Sequence, residues 1–235
     1  MQEQEIIQRE YYEKTASKYD EMHTFTDAEH TFALHLMLSS IKYLDIKSIL
    51  DIGSGTGRAI EFTKKNSNNE IKIIGIEPSE ALRKQGYQNG LHKDNLIDGD
   101  AQCLKYNDGE FDLACAFAAL HHIPDPNKAV SEMLRVSRKA IFISDSNNFG
   151  QGSSMSRFMK QMMNSLGIWK YFVLLKTGGK GYQISEGDGL SYSYSVFNNY
   201  NMIKKRCNSV HIMNTTKGDI NPYRSSSHIA LLGIK

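Results

Sequence analysis

Residues 50–59 read LDIGSGTGRA: an apolar run, an acid, three glycines alternating with small polar residues, and then the start of a helical pattern. Ligand-binding loops between a strand and a helix have this outline, and the spacing discriminates among them. A phosphate-binding loop needs Lys-Ser or Lys-Thr after its last glycine, the amine for the phosphates and the hydroxyl for magnesium. Here Arg58-Ala59 follows Gly57, which argues against it. A dinucleotide loop is spaced G-x-G-x-x-G, its third glycine letting helix and strand pack closely. Here Gly53, Gly55 and Gly57 give G-x-G-x-G, and Arg58 stands at that third position. Glycines so placed let the backbone approach a ligand, and the helix N-terminus that follows favours a carboxylate.

The loop sits in an alternating pattern. SILDIG (48–53), IKIIGIE (71–77), NLIDGD (95–100), FDLACAFAAL (111–120) and AIFISDS (140–146) read as strands. Helical patterns fall between them at about 57–65, from Pro78-Ser79, and at 125–138. Strands alternating with helices imply a parallel sheet covered on both faces, and LACAFAAL is apolar on both faces, as a central strand must be. Two helices precede the pattern, at 3–20 and 28–44, so residues 1–44 form an N-terminal helical segment and 45–145 a ligand-binding core. After Ser146 the alternation stops for about sixty residues, far more than a crossover needs. Residues 146–208 therefore read as a helical lid inserted after the fifth strand: a Met/Phe-rich helix at 154–166, GIWKYFVLLK, and a glycine-rich loop expected to be mobile. SVHIMNT (209–215) and HIALLGIK (228–235) read as a closing hairpin, all within a single domain.

Composition bounds the function. The 235 residues carry 28 basic and 26 acidic side chains, too balanced a surface to suggest a nucleic-acid partner. No apolar run approaches a bilayer-spanning length. The first residues are polar and acidic, unlike a signal peptide. Cys103, Cys115 and Cys207 are widely spaced and odd in number, which suits neither a disulfide framework nor a zinc site and points to the cytoplasm.

Asp51-Ile52-Gly53-Ser54-Gly55-Thr56-Gly57, followed by Glu77, Gly99-Asp100-Ala101, Phe111-Asp112 and ALHH, resembles the class I S-adenosylmethionine-dependent methyltransferases over residues 45–145, including those related to quinone and small-molecule methylases. The resemblance implies an α/β, doubly wound, Rossmann-like sheet of seven strands with the last antiparallel. It also implies S-adenosylmethionine as cofactor. Asp51, Gly53, Ser54, Gly55 and Gly57 would face its methionine tail, Glu77 and Pro78 its ribose, Asp100 and Ala101 its adenine, with Phe117 and Tyr19 over it. Tyr19 comes from the YD of a leading helix. Glu77 would serve a nicotinamide cofactor equally well, so a reductase remains an alternative, as does a catalytically silent cofactor-binding protein.

AALHHIPDP (118–126) places two histidines where the fourth strand should end, which the resemblance sets beside the transferring methyl group. An imidazole suits removal of a hydroxyl proton near neutral pH. Asp145, ending the neighbouring strand, could orient it, so His121, His122 and Asp145 are the candidate catalytic residues for O-methylation of a small-molecule acceptor. Either histidine could instead simply bond the loop. No metal is expected, because adjacent histidines rarely chelate without further ligands. The acids of SEGDG (185–189) read as solvated. NPYR (221–224) reads as a turn. Trp169, Tyr171, Phe172, Tyr182, Tyr192 and Tyr194 could face an acceptor ring or form the lid's own core; the stripe Met155, Phe158, Met159, Met162 and Met163 reads as core.

Overall fold

The computed structural model describes residues 3–23, 28–67, 71–216 and 221–235. The chain opens with α1 (Glu3–Thr15), α2 (Tyr19–His23) and α3 (Ala28–Tyr43). Alternation follows: β1 (Ser48–Ile52), α4 (Arg58–Asn66), β2 (Lys72–Ile76), α5 (Glu80–Gln88), β3 (Leu96–Ile97), β4 (Phe111–Phe117), α6 (Pro126–Val136) and β5 (Ser137–Ser146). Next come α7 (Ser154–Ser165), α8 (Trp169–Lys176), β6 (Tyr182–Ser185), β7 (Gly189–Tyr192), α9 (Tyr200–Arg206), β8 (Ser209–Asn214) and β9 (His228–Ile234).

Seven strands form one sheet in the order β3-β2-β1-β4-β5-β9-β8. β9 is antiparallel to both neighbours, as expected of the last strand, while β1 to β5 pair in parallel. Chain order reverses between β1 and β4, so the connections after these two neighbours leave in opposite directions. A crevice opens between them at the carboxyl edge, where open α/β sheets bind ligands.

The period of two along each strand explains the two cores. Leu50, Ile52, Ala114 and Ala116 pack in one cluster with Val130 and Met133 of α6 and Ile203 of α9. Ile49, Leu113 and Cys115 pack in the other with Leu34 and Met37 of α3. Alternate side chains of β4 thus serve opposite faces, and six of its seven residues are buried. α6 starts where Asp125 accepts a bond from the Lys128 N–H, with Pro126 in its first turn.

Several sequence expectations need correction. β4 ends at Phe117, three residues short of the expected Leu120. Ala118 adopts a left-handed φ of 51°, which turns the chain off the sheet into a helical turn, Leu120–His122. A non-glycine residue there costs about 1–2 kcal/mol. β5 begins at Ser137, where a helical pattern was expected to continue, because α6 ends at Val136. The supposed mobile loop contains an antiparallel hairpin, with Tyr182 opposite Tyr192 and Ser185 opposite Gly189, so the segment after β5 is not purely helical. The Met/Phe stripe is not core either: Met155, Phe158, Met159 and Met162 are exposed on α7. α7 and α8 contain no buried residue. Tyr171 is also exposed.

Candidate active site

The connection after β1 takes left-handed backbone at all three glycines, with φ of 64° at Gly53, 58° at Gly55 and 94° at Gly57. Side chains there would be strained, and space forbids them too. A Cβ on Gly53 would lie 2.5 Å from the Cβ of Ala119, and one on Gly57 would lie 2.0 Å from Leu91 Cδ1. Gly53 therefore brings the loop after β1 against the turn after β4.

Buried Asp51 accepts from the Ser54 hydroxyl at 2.5 Å. Burial raises its pKa to about 6, against the hydrogen bonds from Ser54 and Cys115. Glu77, just beyond β2, accepts from the N–H groups of Gly55 at 3.0 Å and Ser79 at 2.8 Å. Burial pushes it up to about 7, with those bonds pulling the other way. Two buried acids with raised pKa values beside a glycine loop suit a ligand bearing a cation or hydroxyls. Tyr19 reaches over the loop, its ring within 3.2–3.5 Å of a Cβ built on Gly55.

The turn after β4 is held by Asp145, which is fully buried. One of its oxygens accepts from the Leu120 N–H at 2.8 Å. The other lies 2.6 Å from His121 Nδ1. Burial disfavours charge on this imidazole, but Asp145 and then Asp188 outweigh it and raise its pKa to about 10. Burial likewise opposes charge on Asp145, and His121 overcomes it to bring the acid down to about 2. His122 Nδ1 donates to the Leu190 carbonyl at 2.6 Å. With their Nδ1 atoms engaged, both imidazoles turn Nε2 toward the carboxylate of Asp188, at 3.5 Å from His121 and 3.4 Å from His122. Asp188 thus sits at the tip of the β6–β7 hairpin with two imidazoles against it, its side chain 46% exposed, while Glu186 is exposed as expected. Its acidity is strengthened well beyond the usual carboxylate range, because the two histidines overcome its partial burial. The donor atoms of His121, His122 and Asp188 lie within 4.8 Å of one another, close enough to meet at an ion. Asp188 is the further polar group beside the histidines that the sequence reading lacked. Its only sequence signal was an acid between two glycines.

A cavity of about 820 Å³ joins the two halves. Tyr19, Asp51, Gly53, Ser54, Phe117, His121 and His122 line it, together with Asp188. Gly55, Gly57, Glu77, Pro78, Asp100, Ala101 and Asp145 do not. Glu77 is turned into the glycine loop, Asp145 stands behind His121, and Asp100 is exposed, accepting from the Gln102 N–H. Of the six lid aromatics, all but Tyr171 line the cavity. NPYR is a turn, its Asn221 side chain accepting from the Tyr223 and Arg224 N–H groups.

Residues 50–142 match the family model described as a methyltransferase domain. Norajmaline N-methyltransferase of Rauvolfia serpentina is 36% identical over 94 residues, 39% of this chain and 32% of that protein. The chloroplastic tocopherol O-methyltransferase of Arabidopsis thaliana is 30% identical over 95 residues, 39% of this chain and 27% of that protein. The chain spans about a third of the length of the curated relatives it matches. Among solved structures, magnesium protoporphyrin IX methyltransferase from Synechocystis PCC 6803, with bound S-adenosylhomocysteine, superposes with a TM-score of 0.62 at 15% identity, covering 99% of this chain and 100% of that one. Strand order, glycine loop and family match agree: residues 50–142 match a methyltransferase domain, set in a fold that the superposed methyltransferase shares. Among the described residues, no helix is long and apolar enough to cross a membrane.

Proposed function

We propose that the protein transfers the methyl group of S-adenosylmethionine to a hydroxyl of a small-molecule acceptor. The observation that carries this reading is the single cavity with Asp51 and the glycine loop in one wall and the Asp145-bound His121 in another. The cofactor's ammonium suits Asp51 and its carboxylate suits the start of α4. Tyr19 and Phe117 line the same cavity and would lie against the cofactor. The family pattern would set its ribose at Glu77 and its adenine at Asp100 and Ala101, so Glu77 would have to exchange a backbone bond for a ribose hydroxyl.

The acceptor oxygen attacks the methyl carbon. The O–C bond forms, the S–C bond breaks, and its electron pair returns to sulfur. The hydroxyl proton passes to His121 Nε2, with Asp145 holding the ring by Nδ1. Asp145 first, and Asp188 after it, hold the pKa of this imidazole near 10. Asp188 lies against Nε2, the atom that would take the proton, so it must move off before an acceptor hydroxyl reaches that atom, which makes the β6–β7 hairpin a lid. His122, anchored to Leu190, ties the hairpin to the catalytic turn. The described cysteines are all free, which suits a reducing compartment such as the cytoplasm.

Relatives acting on nitrogen and on oxygen both occur; the imidazole base favours oxygen, since a neutral amine attacks without prior deprotonation. The test is a thermal-shift comparison of S-adenosylhomocysteine with NAD(H), followed by turnover of the methyl donor on hydroxylated and amino acceptors. Stabilisation by S-adenosylhomocysteine and methylation of a hydroxyl are expected. Stabilisation by NAD(H) alone would replace the reading with a reductase, and cofactor binding with no turnover on any acceptor would leave a silent binder.

A further inference from the structure

The wall of the cavity contributed by α7 and α8 carries two amines, apart from Arg58 of α4 beside the glycine loop. Lys160 of α7 and Lys176 of α8 both line it. Lys160 donates to the Asn148 carbonyl, a neutral partner. Burial, and then the charges of Lys176 and Arg157, work against its own charge. Among the described residues, no carboxylate lies within ion-pairing distance of Lys160, Lys176 or Arg157. The acids lining the cavity are Glu29, Asp51 and Asp188. Asp51 is tied to Ser54 in the cofactor half, Asp188 faces the imidazoles, and Glu29 belongs to α3. Beside the amines stands a flat apolar surface. Trp169 stacks on Phe172, with ring centroids 5.4 Å apart and planes 29° from parallel. The Trp169 N–H donates to the Ser193 hydroxyl at 2.9 Å, which fixes the indole.

Like charges facing one another across a partly enclosed space are stabilised by whatever anion enters it. The cofactor's carboxylate is already provided for at the glycine loop. We propose that the acceptor is an aromatic hydroxy compound bearing an anionic group, carboxylate or phosphate, with the anion between Lys160 and Lys176 and the ring against Trp169 and Phe172. This rests on the methyl-transfer reading of the same cavity. The anion also complements the cofactor electrostatically, since the sulfonium is cationic.

Trp169 is the chain's one tryptophan, so its fluorescence reports on this wall alone. The experiment titrates the S-adenosylhomocysteine-bound protein with 4-hydroxybenzoate, 4-hydroxyphenyl phosphate and 4-hydroxybenzamide, three probes with the same ring and hydroxyl that differ in charge. At least one anion is expected to quench Trp169 at about tenfold lower concentration than the amide, and comparing the two anions separates carboxylate from phosphate as the source. Lys160→Gln with Lys176→Gln should erase the preference. Lys176→Glu, at an exposed position where folding is not at stake, should reverse it. Equal binding of amide and anions, a preference surviving both lysine substitutions, or no quenching by any ring probe would overturn the proposal. Failure of the underlying reading shows separately, as absence of stabilisation by S-adenosylhomocysteine.

Discussion

The two walls of the cavity are built on opposite principles. The wall proposed for the cofactor is local: Gly53 to Gly57 make one loop whose shape is set by backbone, with Asp51 just before it on β1. The wall proposed for the acceptor is assembled from afar. Asp188 meets His121 and His122 across more than sixty residues, and Leu190 accepts from one of those imidazoles while its N–H donates to Gln8. A wall made of backbone tolerates few substitutions, whereas one made of converging side chains can change its ligand by changing one element.

Substitutions on either side of the boundary test this division. His121→Ala should lower kcat by about 10²–10⁴-fold while leaving affinity for S-adenosylhomocysteine within about twofold of wild type, as calorimetry would show. Near-wild-type turnover would reduce His121 to a structural role. Gly53→Val should act on both walls: its side chain collides with Ala119 on a backbone it cannot adopt without strain. A loss of about 100-fold in S-adenosylhomocysteine affinity is expected, together with lost turnover. Unchanged affinity would show that the loop after β1 is not the cofactor wall.

Asp188→Asn should have the smallest effect and the most informative one. Removing an anion from beside His121 lowers the pKa that the two carboxylates hold near 10. The deprotonated, base-competent imidazole then persists to lower pH. The rising limb of the kcat profile should move toward acid by about one pH unit, without loss of cofactor affinity. A profile that stays in place would mean that Asp188 has no bearing on His121 in the acceptor-bound enzyme.

This division also explains what could be read from the sequence. The strand–helix alternation, the antiparallel last strand and the glycine loop are carried by short runs whose spacing is their structure. The pairing of His121 with Asp145 was legible because both stand at the ends of adjacent strands. Asp188 was not, since nothing in SEGDG reveals that the hairpin folds back over the histidines. The Met/Phe stripe of α7 misled for a related reason. Amphipathic spacing shows that one face is apolar, not that a neighbour covers it, and here that face borders the cavity and the surface. Glu77 and Asp100 were placed by resemblance, and the structure turns one into its own loop and the other toward solvent.

The bond from the Leu190 N–H to the Gln8 side-chain oxygen, with that from the Tyr11 hydroxyl to the Glu186 carbonyl, ties α1 to the hairpin across 182 and 175 residues. Contacts of such separation carry the greatest loop-closure cost in the molecule and form late in folding. They are also cheap to break, since neither α1 nor the hairpin contributes a strand to the main sheet. The hairpin side of the cavity can therefore open by local unfolding around an intact sheet. Its amide protons should exchange faster with deuterium than those of β4.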